Sequence, residues 1–366
     1  NLLPGEQLMY ALIMAGGRGT RFWPRSRDKK PKHLLDIVTD RTIIQETVDR
    51  IKPLIPARNI IIVTGKTHAR ELIRQLPEIP VENILIEPMG RNTAACIGYA
   101  AVHIQKRAQD AVMVVLPSDH GIGNPDLYRK VIAAAAAAAQ KKNALVTIGL
   151  KPESPHTGFG YMEGGAAAGR VEGMKVLQVR SFREKPGLRQ ARAFLEKGNF
   201  YWNSGMFVWK TSVIMEQIRQ FLPQLHEGLA AIAAGMGKAD EASTVRRVYK
   251  NLPSISIDYG VMEKAANVLM VPADFGWSDL GSWDTLWEIS ARDENGNAAT
   301  AGSQTVLEDT KNSFVYSPQK LVALIGMKDV IVVDTKDALL ICKKGRSQDV
   351  KKVVDALEAG GKKHLL

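Results

Sequence analysis

From Tyr10 to about Leu150, short apolar runs rich in β-branched residues alternate with longer stretches of helical period, the pattern of parallel βαβ units. The runs 10–14, 60–63, 84–86, 111–116 and 144–148 predict strands; 43–51, 68–75, 93–106 and 127–142 predict helices. The last helix carries an alanine run, 133–139, a strong helix former that lets the helix lie close against a sheet. Right-handed crossovers would make this half an open, doubly wound α/β sheet, with ligands at the carboxyl ends of its strands.

After Leu150 the pattern is less regular. A glycine-rich stretch, Thr157 to Glu163, precedes a predicted strand at 176–182 and a helix at 188–196. A strand at 202–209 is entered through a close turn, and helices at 212–220 and 225–236 lead to Ile257-Asp258-Tyr259-Gly260-Val261-Met262-Glu263. The last motif-like segment is Asp274 to Trp283, and the polar, turn-rich stretch Asp293 to Asn297 marks a boundary. Two domains are therefore expected, 9–293 and 294–366. In the second, short strands recur at 304–307, 313–316, 321–325, 330–334 and 338–343, followed by a terminal helix at 350–357. This spacing suggests a small β unit, with a short left-handed β-helix as the candidate form.

At 366 residues and 45% hydrophobic, the chain can bury one large α/β core and a smaller one. Forty-nine basic against thirty-eight acidic side chains leave +11, which draws anions. The basic residues are dense only at Arg18 to Lys32 and in the tail around Lys343, Lys344, Arg346, Lys351 and Lys352, so a solvated basic surface or small phosphorylated ligands are favoured over nucleic acid. Cys96 and Cys342 lack metal spacing and read as reduced core thiols of a cytoplasmic protein. No apolar run approaches a membrane span, and no signal-peptide core precedes Met9.

The segment Leu12 to Pro24, with Pro31-Lys32-His33 behind it, reads as a phosphate cradle: an apolar strand, then small residues whose N–H groups can face an anion, then Arg18, Arg21 and Lys32. It fits neither G-x-x-x-x-G-K-[ST] nor G-x-G-x-x-G, and by itself it is equally compatible with a tight strand-to-helix turn. A triphosphate calls for a divalent ion held by a few hard carboxylates; Asp119, at the end of a strand, and Asp279, in a glycine-rich turn, are the candidates for Mg²⁺. Either could instead cap a turn. Lys185 can reach a phosphate, and Glu184 and Asn203 can bind sugar hydroxyls, although a solvated charge pair and a turn cap fit the same residues. Glu87 with Arg91, Asn92 and Thr93 could border a purine, or Asn92 and Thr93 could cap the next helix. There is no Gly-x-Ser-x-Gly elbow and no Cys/His pair with a supporting motif, so no activated nucleophile is evident.

Together these segments resemble the bacterial mannose-1-phosphate guanylyltransferases, or GDP-mannose pyrophosphorylases. The likeness rests on Ala15 to Pro24, Pro31-Lys32-His33, Glu87-Pro88 with Arg91-Asn92-Thr93-Ala94, Pro117-Ser118-Asp119-His120, Thr157 to Tyr161, Phe182 to Pro186, Trp202 to Phe207 and Trp277 to Trp283. Eight ordered segments are far more specific than one. The glycine loop alone would indicate sugar-nucleotide pyrophosphorylases in general; Phe22-Trp23-Pro24 and Arg91-Asn92-Thr93 point to the mannose-guanylyl branch.

The resemblance implies a Rossmann-like nucleotide-diphospho-sugar transferase fold with an open, mostly parallel sheet. It implies in-line attack of mannose 1-phosphate on the α-phosphorus of GTP, giving GDP-mannose and pyrophosphate without a covalent intermediate. By the same likeness, Ala15, Gly16, Gly17, Gly19 and Thr20 would hold the triphosphate, and Arg18 and Lys32 would counter the charge of the departing pyrophosphate. Asp119 and Asp279 would hold Mg²⁺, Gly160, Glu184 and Asn203 the mannose, and Lys185 its phosphate; guanine would lie near Glu87, Arg91, Asn92 and Thr93. Many relatives continue into a mannose-6-phosphate isomerase domain; the chain ends at Leu366 without one, so isomerase activity is expected to be absent, and residues before Met9 read as an extension. The C-terminal unit is expected to contact the first domain or another subunit, with a homodimer as the favoured assembly. Use of another nucleotide or hexose 1-phosphate is the close alternative, and a sugar-nucleotide sensor without turnover the more distant one.

Overall fold

The computed structural model describes residues 8–17 and 19–366. The chain forms two compact units that interleave along the sequence: Asn1–Gly16, Arg50–Pro117 and Ile122–Trp277 make the first, and Gly17–Asp49, Ser118–Gly121 and Ser278–Leu366 the second.

The strands of the first part of the chain are β1 (Met9–Ala15), β2 (Ile60–Gly65), β3 (Ile84–Glu87), β4 (Val112–Pro117), the two-residue β5 (Gly121–Ile122), β6 (Leu145–Leu150), β7 (Tyr161–Val171), β8 (Met174–Arg183), β9 (Phe200–Lys210), β10 (Val268–Ala273) and the two-residue β11 (Trp277–Ser278). Nine of them form one sheet in the first unit, in the order β3-β2-β1-β4-β9-β6-β10-β8-β7. The run β3-β2-β1-β4 is parallel, as the βαβ pattern predicts, and β6 and β10 form a second parallel pair. The sheet becomes mixed through β9, which enters antiparallel between β4 and β6, and through β8 and β7.

Helix α3 (Asn92–Arg107) lies against β1 and β2 and joins α6 (Thr211–Phe221), α7 (Pro223–Gly235) and α8 (Glu241–Asn251) in one apolar cluster. Helix α4 (Pro125–Lys142) covers β4, β6, β9 and β10, with Ala134, Ala135, Ala136, Ala138 and Ala139 buried, so the alanine run does bring helix and sheet close together. The smaller α1 (Ile43–Ile51), α2 (Lys66–Gln75) and α5 (Leu188–Lys197) fall where the period places them.

Three of the longer elements of the first unit have no counterpart in the sequence expectation. Strand β7 is rich in Gly and Ala, which have low strand propensity, and forms because β8 pairs with it through several bulges. Helix α8 is mostly polar and is held by Val245 and Tyr249 packing into the α3–α7 cluster. Strand β10 is a short apolar run decided by its partners β6 and β8.

The second unit is a parallel β coil. Strands β12 (Ala298–Ala299), β14 (Phe314–Tyr316) and β16 (Val330–Asp334) stack on one side, while β13 (Gln304–Glu308) and β15 (Leu321–Ile325) stack on another. β17 (Leu339–Lys343) closes β16 antiparallel, and α9 (Trp283–Ile289) and α10 (Val350–Ala359) complete the unit. Its core joins Phe314, Ile331, Val333 and Val354 to Phe22, Trp23 and Trp283. The aromatic residues that follow the glycine loop are thus part of the core of the C-terminal unit. No described helix is long and apolar enough to cross a membrane.

Candidate active site

In the second unit, Gly17 and Gly19 have φ of +99° and +59°, a region that L side chains enter only with strain. A Cβ on Gly19 would also lie 2.5 Å from Cβ of Lys32, so the loop closes tightly over that lysine. The Gly19 carbonyl accepts from the Phe22 amide at 3.1 Å and from the Ser26 hydroxyl at 2.8 Å, which fixes the turn at Thr20–Phe22. Lys32 is 6% exposed. Its ammonium donates to Asp119 Oδ2 at 2.9 Å and to the Asp279 carbonyl at 2.6 Å. Both predicted metal carboxylates are therefore brought to one cation, the first through its carboxylate and the second through its backbone. Burial opposes the charge on Asp119, but Lys32, helped by His120 and His33, outweighs it and holds the carboxyl at about 2. Asp279 Oδ1 accepts from the Gly281 amide at 3.0 Å, and Leu280 between them is left-handed at φ +45°, a strained backbone that positions the aspartate. No group of three or more His, Cys, Asp or Glu is arranged for a metal among the described residues. Two carboxylates leave most coordination positions to water and phosphate oxygens, which suits Mg²⁺ better than a softer ion. Arg18 lies outside the described residues.

In the first unit, Ala15 ends β1 and its carbonyl accepts from the Thr64 hydroxyl at 3.0 Å, while Gly16 is exposed. The four predicted sugar residues of this unit come together. The Asn203 amide N–H donates to the Gly160 carbonyl at 2.8 Å. A Cβ on Gly160 would stand 3.2 Å from Asn203 Cβ and inside contact with Glu184 Oε2. Glu184 Oε1 accepts from the Lys185 ammonium at 2.9 Å, whereas Glu184 Oε2 is buried without a hydrogen-bond partner. Burial works against the Lys185 charge, but Glu184, with Asp258 adding to it, raises its pKa above the ordinary lysine value. Lys185 is left-handed at φ +47°, directly before Pro186.

The predicted base residues are divided. Glu87, the last residue of β3, accepts from the Tyr249 hydroxyl at 3.2 Å, and burial pushes its carboxyl up to about 7. The Arg91 guanidinium donates to the carbonyls of Tyr249 and Lys250 at the end of α8, and the Thr93 hydroxyl accepts from the Ile257 amide at 2.8 Å. Both side chains tie the start of α3 to the end of α8 and to the Ile257 backbone. Asn92 is exposed and left-handed at φ +64°, and its side chain accepts from the Thr93 amide.

The family model for nucleotidyl transferases matches residues 10–296, and that for the MannoseP isomerase/GMP-like β-helix domain matches 303–357. Mannose-1-phosphate guanylyltransferase of Escherichia coli K12 is 38% identical over 366 residues, covering 98% of this chain and 75% of that protein. The xanthan biosynthesis protein XanB of Xanthomonas campestris is 38% identical over 354 residues, covering 96% and 73%. A crystal structure from Thermus thermophilus, described as a mannose-1-phosphate geranyltransferase, aligns with TM-score 0.88 at 33% identity, covering 96% of this chain and 100% of that one. The chain belongs to the mannose-1-phosphate guanylyltransferase family.

For a member of this family, the least anticipated part of the first unit is the segment from Ile255 to Glu263. Its Asp258–Met262 stretch is a single π-helical turn, a rare form that is frequent at functional sites. The Ile255 carbonyl accepts from the Ala94 amide, the Ile257 amide donates to Thr93, Asp258 Oδ1 accepts from Asn203 Nδ2 at 2.9 Å, and Glu263 Oε1 accepts from the Glu184 amide at 3.0 Å. One short segment thus braces the start of α3 and the Glu184–Asn203 cluster together. The sequence displayed it as two carboxylates around an apolar turn, without a motif that assigned either a role.

Proposed function

We propose that the chain transfers GMP from GTP to α-D-mannose 1-phosphate, giving GDP-mannose and pyrophosphate. The observation that supports this most is the convergence of Lys32, Asp119 and Asp279 behind the Gly19 turn. In this reading Gly16, Gly17, Gly19 and Thr20 cradle the triphosphate, and Lys32, with Arg18, supplies fixed positive charge where pyrophosphate departs. Nucleotidyltransferases of this family generally use a divalent metal; Asp119, kept ionised by Lys32, and Asp279 would hold Mg²⁺ here. When bound, such an ion withdraws charge from phosphate oxygens. The chain's own groups then orient the two substrates: Glu184, Asn203 and Gly160 hold the hexose, Lys185 grips its phosphate, and Glu87 borders the base. Lacking an activated nucleophile, this machinery acts through positioning and charge. A 9–293 catalytic region, a cytoplasmic location and a homodimer belong to the same proposal.

The test is pyrophosphate release from GTP and mannose 1-phosphate with Mg²⁺. No release above a Lys32→Ala control would end the reading. A panel of nucleoside triphosphates and hexose 1-phosphates separates a guanylyl-mannosyl enzyme from a relative with other preferences, and light scattering reads the assembly.

A further inference from the structure

The sugar cluster of the first unit contains more carboxylate than its assigned members require. Glu184 and Asp258 both act on the ammonium of Lys185, and Glu263 joins the cluster through the Glu184 backbone. Glu263 is spent on the Glu184 backbone. Asn203, in contrast, has little left to give: its side-chain nitrogen donates to Asp258, and its oxygen accepts from the Thr147 hydroxyl and the Gly205 amide. Asp258 is half-buried and receives one side-chain hydrogen bond among the described residues, that from Asn203, while a carboxylate has about four acceptor positions. Glu184 Oε2 beside it is buried with no donor at all. An oxygen with no donor beside a carboxylate with few is costly unless a ligand supplies the rest. Hydroxyl donors fit this place: an anion would be repelled, and among the described residues Lys185 is the cation that acts on Asp258.

We infer that Asp258 is a hexose-binding residue: one carboxylate oxygen fixes the Asn203 amide, and the other, next to Glu184 Oε2, accepts from a hydroxyl of the bound hexose. This rests on the proposed reading of the cluster as the sugar half of the site. It changes the part played by Asn203, which becomes the residue that aims Asp258. Burial and the Glu184 charge, offset in part by Asn203 and Lys185, push Asp258 up to about 7, so an unliganded carboxylate is poorly tolerated there and a hydroxyl donor would relieve it.

Steady-state kinetics of wild type and Asp258→Asn at about pH 8, together with a series of monodeoxy-mannose 1-phosphates, test the inference. Asp258→Asn should raise KM for mannose 1-phosphate about tenfold or more and leave KM for GTP within about twofold, an effect the size of one lost polar contact. One deoxy analogue should be handled equally by both proteins, because the hydroxyl that Asp258 would accept is already gone. Asp258→Glu, which retains the carboxylate, should recover part of the loss. The inference is overturned if both KM values rise together, if neither rises, or if no analogue closes the gap. Wild-type turnover of GTP with mannose 1-phosphate is the separate control on the proposed function. Should that fail, calorimetric titration of both proteins with a panel of hexose 1-phosphates decides the Asp258 question alone, equal affinity overturning it.

Discussion

Three carboxylates among the candidate site residues and their neighbours, one in the second unit and two in the first, sit on opposite sides of their ordinary range. Asp119 in the second unit meets a buried ammonium and is held at about 2; Asp258 and Glu87 in the first unit have burial without sufficient positive charge and rise to about 7. The difference is in the partners, since burial acts in the same direction on all three. A carboxylate locked in its charged form suits a cation and phosphate chemistry. A carboxylate poised near neutrality suits the recognition of hydroxyl donors, whose arrival favours the charged form.

Removing the ammonium breaks this contrast most severely. Lys32→Ala takes away the only described cation hydrogen-bonded to Asp119 and should lower kcat by roughly 10²–10³-fold, the size of one lost charge-stabilising donor. Because that charge matters more in the transition state than in the ground state, kcat/KM should fall with it. Pyrophosphate release under saturating substrates measures this. A loss seen in KM alone would place Lys32 in ground-state binding.

Gly160→Ala strikes the other cluster. The added methyl would push Glu184 Oε2 aside and crowd Asn203 Cβ. KM for mannose 1-phosphate should rise about tenfold, equivalent to about 1.4 kcal/mol, with KM for GTP unchanged. Equal increases in both constants would show that the two clusters are not divided by substrate.

Some of the residues behind this contrast were legible in the sequence, though the contrast itself was not. Glycines needed at positive φ, a strand-terminal aspartate and the Glu184-Lys185 pair all announce themselves through local chemistry, and Gly19, Asp119 and Glu184 stand where those signals place them. The parallel run β1 to β4 was equally legible, because buried strands read as apolar runs. What stayed hidden depends on partners distant in the chain. Arg91 reads as bordering a purine and Thr93 as either that or a helix cap; their bonds to the carbonyls of α8 and to the Ile257 amide lie far along the chain and could not be read from it. Asp258 draws no reading of its own because Asn203, 55 positions earlier, is its partner. Nor could a linear pattern reveal that Phe22 and Trp23 join the core of a unit that resumes at Ser278.

The pH dependence of sugar binding offers a gentler test of the same contrast. Asp258 faces Glu184 and Lys185 from one loop and Asn203 from β9, with Glu263 and Tyr259 on its own segment. If its ionised form receives the hexose, KM for mannose 1-phosphate in the wild type should fall as pH rises towards about 7 and flatten above it, by at most about tenfold per unit. Asp258→Asn should lose that slope. A slope that persists in the variant would assign the titration to another group.

The smallest effect is on stability, and its sign differs between the units. Glu87 has a folded pKa raised from 4.5 to about 7, so its contribution is fully present below the unfolded value and is lost as pH rises through about 7. Asp119 is lowered from 3.8 to about 2, so its contribution is present above the unfolded value and is lost only as pH falls towards 2. Between about pH 5 and pH 8, Glu87→Gln should therefore gain on the wild type by roughly a few degrees in Tm, whereas Asp119→Asn should keep a constant offset. Thermal melts of the three proteins across that range read the difference directly. A Glu87→Gln offset that does not change with pH would mean that the Tyr249 hydroxyl, which opposes the shift, already keeps Glu87 ionised.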